Sequence, residues 1–125
     1  MIVLDASAIL AYMFREAGYT EVEKVINHSC LSAVNLSEVL NRFARDGHDV
    51  DEVLRKIQLS PVEIMPFAAA HAAIAARLLP STQPRGLSLG DRACLALALD
   101  RNLPAMTADQ TWLELDIAVE IKVIR

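Results

Sequence analysis

The sequence predicts an α/β domain, a three-layer sandwich with a central, mainly parallel sheet of about five strands flanked by helices. Three observations predict it. Apolar runs of strand length recur along the chain and alternate with segments of helical periodicity, the order that parallel pairing through right-handed crossovers requires. The first run, Ile2-Val3-Leu4, has no polar alternation, as expected of a central strand buried on both faces. Hydrophobic residues make up 54% of the 125 positions and aromatics few of them, which describes a single Ala/Leu/Val/Ile-packed core.

In chain order, the strand at residues 1–4 ends in Asp5 and Ser7, and a helical pattern runs from Ala8 to Phe14. Gly18 breaks it, and Tyr19–Asn27 resumes a helix with Val22, Val25 and Ile26 on one side. Residues 30–34 suit a second buried strand. Asn35-Leu36-Ser37-Glu38 opens a third helix, with Leu36, Val39, Leu40 and Phe43 inward and Gly47 at its end. A fourth helix covers about Val50–Leu59 and stops at Pro61; Val62–Pro66 reads as a third strand. Phe67–Leu79 is an Ala-rich helix ended by Pro80, and Ser81–Gly86 reads as a loop. Ser88–Asn102 is a helix apolar enough to be covered on most sides. Pro104–Thr107 makes a fourth strand, a turn leads to Trp112, and Val119–Ile124 alternates as an edge strand does. Residues 1–125 read as one domain without repeats or linkers.

The bulk numbers exclude several classes. A net charge of −4 excludes a strongly basic nucleic-acid coat, so any contact with a polyanion rests on local arginines or a bound cation. Cys30 and Cys94 lie in apolar runs and read as reduced, buried thiols; two lone cysteines make no zinc spacing. No apolar stretch is long enough to span a bilayer and no basic leader precedes the first strand, so a soluble, cytoplasmic protein with no membrane contact is expected. There is no Gly-rich phosphate loop and no Gly-x-Ser-x-Gly elbow, and His28, His48 and His71 are scattered.

Four acids stand out by position. Asp5 ends strand one, Glu38 follows strand two, Asp91 starts the long apolar helix, and Asp109 follows strand four. In a parallel sheet, strand ends and returning helix starts share one edge, so these four are expected to face one another. Singly, each has an ordinary use: Asn35…Glu38 and Ser88…Asp91 resemble capping boxes, and Asp5 and Asp109 suit N-caps. Jointly, four crowded carboxylates repel one another unless a cation neutralises them, and a hard ion such as Mg²⁺ or Mn²⁺ takes oxygen ligands. Ser7 and Thr107 offer nearby hydroxyls, for supporting the acids or simply for closing local turns.

Ile2-Val3-Leu4-Asp5-Ala6-Ser7, Ser37-Glu38-Val39, Leu87-Ser88-Leu89-Gly90-Asp91-Arg92 with Ala96-Leu97-Ala98, and Thr107-Ala108-Asp109 together resemble the PIN-domain family, and within it the VapC-type toxins of toxin–antitoxin pairs. The resemblance covers essentially the whole chain, and Leu87–Ala98 is its strongest piece. It implies a PIN-like fold, metal-dependent endoribonuclease activity on RNA, a homodimer and neutralisation by a VapB-like antitoxin. Carried over by residue, its acidic quartet falls on Asp5, Glu38, Asp91 and Asp109, the expected catalytic and metal-binding positions, with Ser7 and Thr107 as the site's hydroxyls.

Arg15, Arg42, Arg45, Arg85 and above all Arg92 are candidate phosphate contacts, since Arg suits bidentate anion recognition; a solvated helix face is the plain alternative for each. Two rival functions remain open at this point. An acidic-pocket phosphotransfer domain, receiver- or phosphatase-like, would want a second acid near Asp5 and a lysine at the same edge, where the chain has Ser7 and places Lys122 in its last strand. A catalytically silent PIN-like binding module would use the apolar surface of Ile9, Tyr12, Met13 and Phe14 to dock a partner helix.

Overall fold

The computed structural model describes residues 1–125. Its five strands are β1 (Ile2–Leu4), β2 (Ser29–Ser32), β3 (Glu63–Met65), β4 (Ala105–Thr107) and β5 (Ile121–Val123), and every pairing between them is parallel. Their order across the sheet is β3-β2-β1-β4-β5. β1 is thus the central strand, with Val3 in register with Cys30 on one side and Ala105 on the other. The chain winds outward from β1 through β2 to β3, then returns to build β4 and β5 on the opposite flank. Such a reversal leaves a crevice at the carboxyl ends of the two strands beside it.

Seven helices cover the sheet: α1 (Ala6–Phe14), α2 (Tyr19–Glu23), α3 (Ala33–Arg45), α4 (Val50–Leu59), α5 (Ala69–Arg77), α6 (Leu79–Thr82) and α7 (Leu89–Arg101). Strand residues alternate between two cores, as the period of two demands. Ile2, Leu4, Leu31 and Met106 face α1–α4 in one core. Val3, Cys30 and Ala105 face Cys94, Leu95, Leu97 and Trp112 in the other. α7 is buried on all sides from Ala93 through Ala98, the apolar stretch of its sequence.

The differences from the sequence reading sit at element ends. The helix predicted over Tyr19–Asn27 breaks after Glu23 and finishes as a 3₁₀ turn, Ile26–His28, which aims the chain into β2. β2 ends at Ser32, whose Oγ accepts the Val34 N–H at 3.2 Å and starts α3 two residues earlier than predicted. The expected loop at 81–86 is helical through Thr82 and 3₁₀ over Gln83–Arg85. Pro80 does not stop a helix there; it sits in the first turn of α6, where its missing N–H costs nothing. The buried Thr82 hydroxyl closes that turn on the Leu78 carbonyl at 2.8 Å. Cys30 and Cys94 are free, buried thiols, and burial pushes both up from the usual thiol range. No helix is long and apolar enough to cross a membrane.

Candidate active site

Asp5 is the residue at which β1 becomes α1, and it is 4% exposed. Although it occupies the N-cap position, its carboxylate caps nothing. Its Oδ2 instead accepts two hydroxyls, Ser7 Oγ at 2.7 Å and Thr107 Oγ1 at 3.0 Å. Those hydroxyls in turn accept the N–H groups of Ala108 (3.0 Å) and Asp109 (3.1 Å). Ser7 and Thr107 therefore stitch the end of β1 to the end of β4 and fix one oxygen of Asp5, leaving Oδ1 without a protein donor. Burial pushes the Asp5 carboxyl up to about 6; the Ser7 hydrogen bond opposes the rise, Asp91 adds to it, Thr107 opposes it and Glu38 adds to it.

Glu38 lies in the second turn of α3, not the first, because α3 begins at Ala33. The capping-box reading of Asn35…Glu38 falls with that shift. Glu38 Oε1 instead accepts the side-chain amide of Asn35 at 2.8 Å, one helical turn back. Its carboxylate lies in the space a Cβ would take at Gly90, so the acid from α3 rests directly on the first turn of α7. Desolvation raises its carboxyl from the ordinary value, the Asn35 bond opposes this and Asp91 reinforces it.

Asp91 does form the predicted reciprocal cap: its Oδ2 accepts the Ser88 N–H at 2.9 Å while its own N–H donates to Ser88 Oγ at 3.2 Å. Capping and site membership are compatible, because one oxygen serves the cap. Asp109 also caps, with Oδ1 accepting both the N–H (2.9 Å) and the hydroxyl (2.8 Å) of Thr111. Two contacts tie these acids to common elements: Asp5 Oδ2 accepts the Thr107 hydroxyl, whose oxygen accepts the Asp109 N–H, and the Glu38 carboxylate rests on Gly90, the residue before Asp91. The Asp109 carboxylate itself is engaged with Thr111.

As placed, no three acidic, histidine or cysteine side chains close on one point tightly enough to grip an ion. The donor set nevertheless fits a hard divalent cation. It is all oxygen, Asp5 carries an Oδ1 free of protein donors, and burial opposes its anion until a positive charge arrives. Mg²⁺ keeps several waters and needs only one or two direct carboxylates.

Four of the five candidate arginines have partners within the protein. Arg92, first among the expected phosphate contacts, donates to the Ala75 carbonyl at 3.1 Å and buries its Nε, so it joins α7 to α5. Arg42 lies 4.7 Å over the Phe14 ring and pairs with Asp46 at 3.2 Å; Arg15 lies over Tyr19 at 5.6 Å; Arg85 pairs with Glu114 at 3.6 Å. Arg45 is exposed on α3. His71 bridges α5 and α7 through Asp100 at 3.0 Å.

A parallel sheet ordered 3-2-1-4-5, with Asp5 at the end of its central strand and Glu38 and Asp91 on the adjoining helices α3 and α7, defines a doubly wound α/β domain with acidic side chains along one edge. The chain belongs to the PIN domain family, whose model matches residues 2–118. Solved structures agree on the fold. FitAcB from Neisseria gonorrhoeae superposes with a TM-score of 0.73 at 22% identity, covering 98% of this chain and 96% of that one. VapBC2 from Rickettsia felis, bound to a DNA fragment from its promoter, gives 0.75 at 17% identity over 100% of both chains. VapC20 from Mycobacterium tuberculosis, a sarcin–ricin loop cleaving toxin, gives 0.73 at 19% identity, covering 91% of this chain and 94% of that one. A search of curated proteins returns no match.

Asn35 is the residue of this site that the sequence reading missed. It was legible only as a helix-start residue, yet it is fully buried and joins Glu38 to α7, donating also to the Gly90 carbonyl at 2.9 Å. The available signal was its spacing: an amide three residues before a glutamate on one helix face reaches that carboxylate.

Proposed function

We propose that this protein is a metal-dependent endoribonuclease, the toxin of a VapBC-type pair, acting through the acidic crevice between β1 and β4. One observation carries the reading. A carboxylate 4% exposed at the end of the central strand is left with a free oxygen, in the field of two further acids, with no basic partner. Nothing in the fold needs that charge, and capping, which accounts for Asp91 and Asp109, does not account for Asp5.

Asp5 and Asp91 would hold Mg²⁺ or Mn²⁺, with Glu38 as a further ligand or as the group that orients the attacking water, and Asp109 acting through water. The cation supplies Lewis-acid neutralisation of the phosphodiester and a lowered pKa for water. Ser7 and Thr107 keep Asp5 Oδ2 fixed, so that Oδ1 presents in one direction only. Glu38, with its raised carboxyl pKa, is suited to take a proton from an incoming water. Arg92 and Arg42 are committed to packing, whereas Arg45 is exposed, and the substrate would be an exposed RNA segment.

The partner reading rests on a second feature. A groove of about 190 Å³ between α1 and α4 is lined by Ile9, Tyr12, Met13, Ile26, Ile57 and Val62, an apolar surface of the kind that receives an amphipathic segment. We assign it to a VapB-like antitoxin, and a homodimer to the intact complex. The test is RNA cleavage by the purified protein with Mn²⁺ or Mg²⁺. Activity that EDTA removes, and that Asp5→Asn and Asp91→Asn abolish in folded protein, is expected. Equal cleavage in excess EDTA would refute the proposal.

A further inference from the structure

Asn35 is fully buried, and the way its polar atoms are used is uneven. Its Nδ2 donates to Glu38 Oε1 at 2.8 Å and to the Gly90 carbonyl at 2.9 Å, while its Oδ1 is sealed without any partner. Both neighbours of the nitrogen are pure acceptors, so the amide cannot be turned round: the orientation is imposed. A buried carbonyl oxygen left unpaired is destabilising, a cost that an apolar side chain at position 35 would avoid. The arrangement is therefore poor as packing and good as a clamp.

The clamp acts between two helices. One N–H holds the carboxylate brought by α3, and the other holds the backbone of α7 one residue before Asp91. Gly90 completes it, since only a residue without a Cβ leaves room for the Glu38 carboxylate there. Resting on the metal reading above, we infer that Asn35 is a positioning residue: it fixes Glu38 against the start of α7 and thereby sets the spacing between Glu38 and Asp91 at which a divalent cation binds. It acts through Glu38 and touches neither metal nor substrate. Groups of this kind, bonded to a ligating carboxylate, typically change metal affinity roughly 10- to 100-fold when removed.

The test follows Mn²⁺ binding by the loss of the free-ion EPR signal in the whole protein, without RNA. Four proteins are compared: wild type, Asn35→Ala, Glu38→Gln and the double variant, with thermal unfolding of each without metal. Asn35→Ala is expected to bind Mn²⁺ roughly 10- to 100-fold more weakly, and the double variant no more weakly than Glu38→Gln alone. A purely structural role would lower the unfolding temperature equally in both backgrounds and would not make the two affinity losses merge. Should Asn35→Ala not fold, Asn35→Ser, which keeps a single O–H donor, replaces it in the same cycle with a smaller loss expected. Wild-type affinity in the Asn35 variant, or a loss that persists undiminished beside Glu38→Gln, overturns the inference while leaving the metal site standing. A wild type that binds no Mn²⁺ overturns the metal reading and this inference together.

Discussion

At the scale of single residues, the site is governed by what surrounds Asp5. Ionising a carboxyl that is 4% exposed costs energy that unfolding would release. Its ordinary value is 3.8 and its folded value about 6, so between those limits the native state keeps a proton that the unfolded chain has given up. Stability without metal must fall as pH rises through that window, by about 3 kcal/mol from this residue. Asp5→Asn removes the dependence: urea unfolding of the metal-free variant should show a flatter profile from pH 4 to pH 7 than wild type. An equally steep fall in the variant would place the origin elsewhere. Thr107→Val acts in the opposite sense, because the hydroxyl bond that favours the anion is lost while shape is kept. The Asp5 carboxyl carbon, followed by NMR, should then titrate above its wild-type midpoint.

Among the elements, helix starts decide how much could be read in advance. The parallel sheet and the central place of β1 are legible because β1 is apolar on both faces, and Asp5 stands out because it ends that strand abruptly. The start of α3 is not legible, because Ser32 and Asn35 are both good helix-start residues and local sequence does not rank them; packing of Asn35 under Gly90 does. The direction of Arg92 is likewise not local: its position beside Asp91 suits a phosphate contact, whereas one of its N–H groups donates to the Ala75 carbonyl of α5. Asp109 shows a local use of the kind its position suggests, its carboxylate accepting the N–H and hydroxyl of Thr111. In α7 the cap and the site separate cleanly by mutation. Ser88→Ala removes one of the two capping bonds and should cost about 1 kcal/mol in denaturant unfolding, with cleavage retained because the Ser88 N–H still holds Asp91. Asp91→Asn keeps an oxygen for that N–H and removes the charge, so it should fold normally and lose cleavage. Loss of activity in Ser88→Ala matching that in Asp91→Asn would make capping the whole explanation of Asp91.

For the whole molecule, the fold separates two surfaces that share one helix. α1 starts at Asp5, in the crevice, and carries Ile9, Tyr12 and Met13 to the groove on its other end. On the proposed reading, a partner seated in the groove would lie within one short helix of Asp5. Two measurements separate the surfaces. Mg²⁺ or Mn²⁺ should raise the thermal midpoint more at pH 7 than at pH 5, because the cation must displace the Asp5 proton at the lower pH; a hundredfold excess over Kd contributes about 2.7 kcal/mol when binding is confined to the native state. Equal gains at both pH values would mean that the ion binds away from Asp5. Met13→Glu puts a charge on the apolar wall of the groove and leaves the crevice intact, so it should abolish copurification with the antitoxin while RNA cleavage persists. Expressed beside its antitoxin, that variant should arrest growth where wild type does not, and a Met13→Glu protein that is still neutralised would move the antitoxin to another face of the molecule.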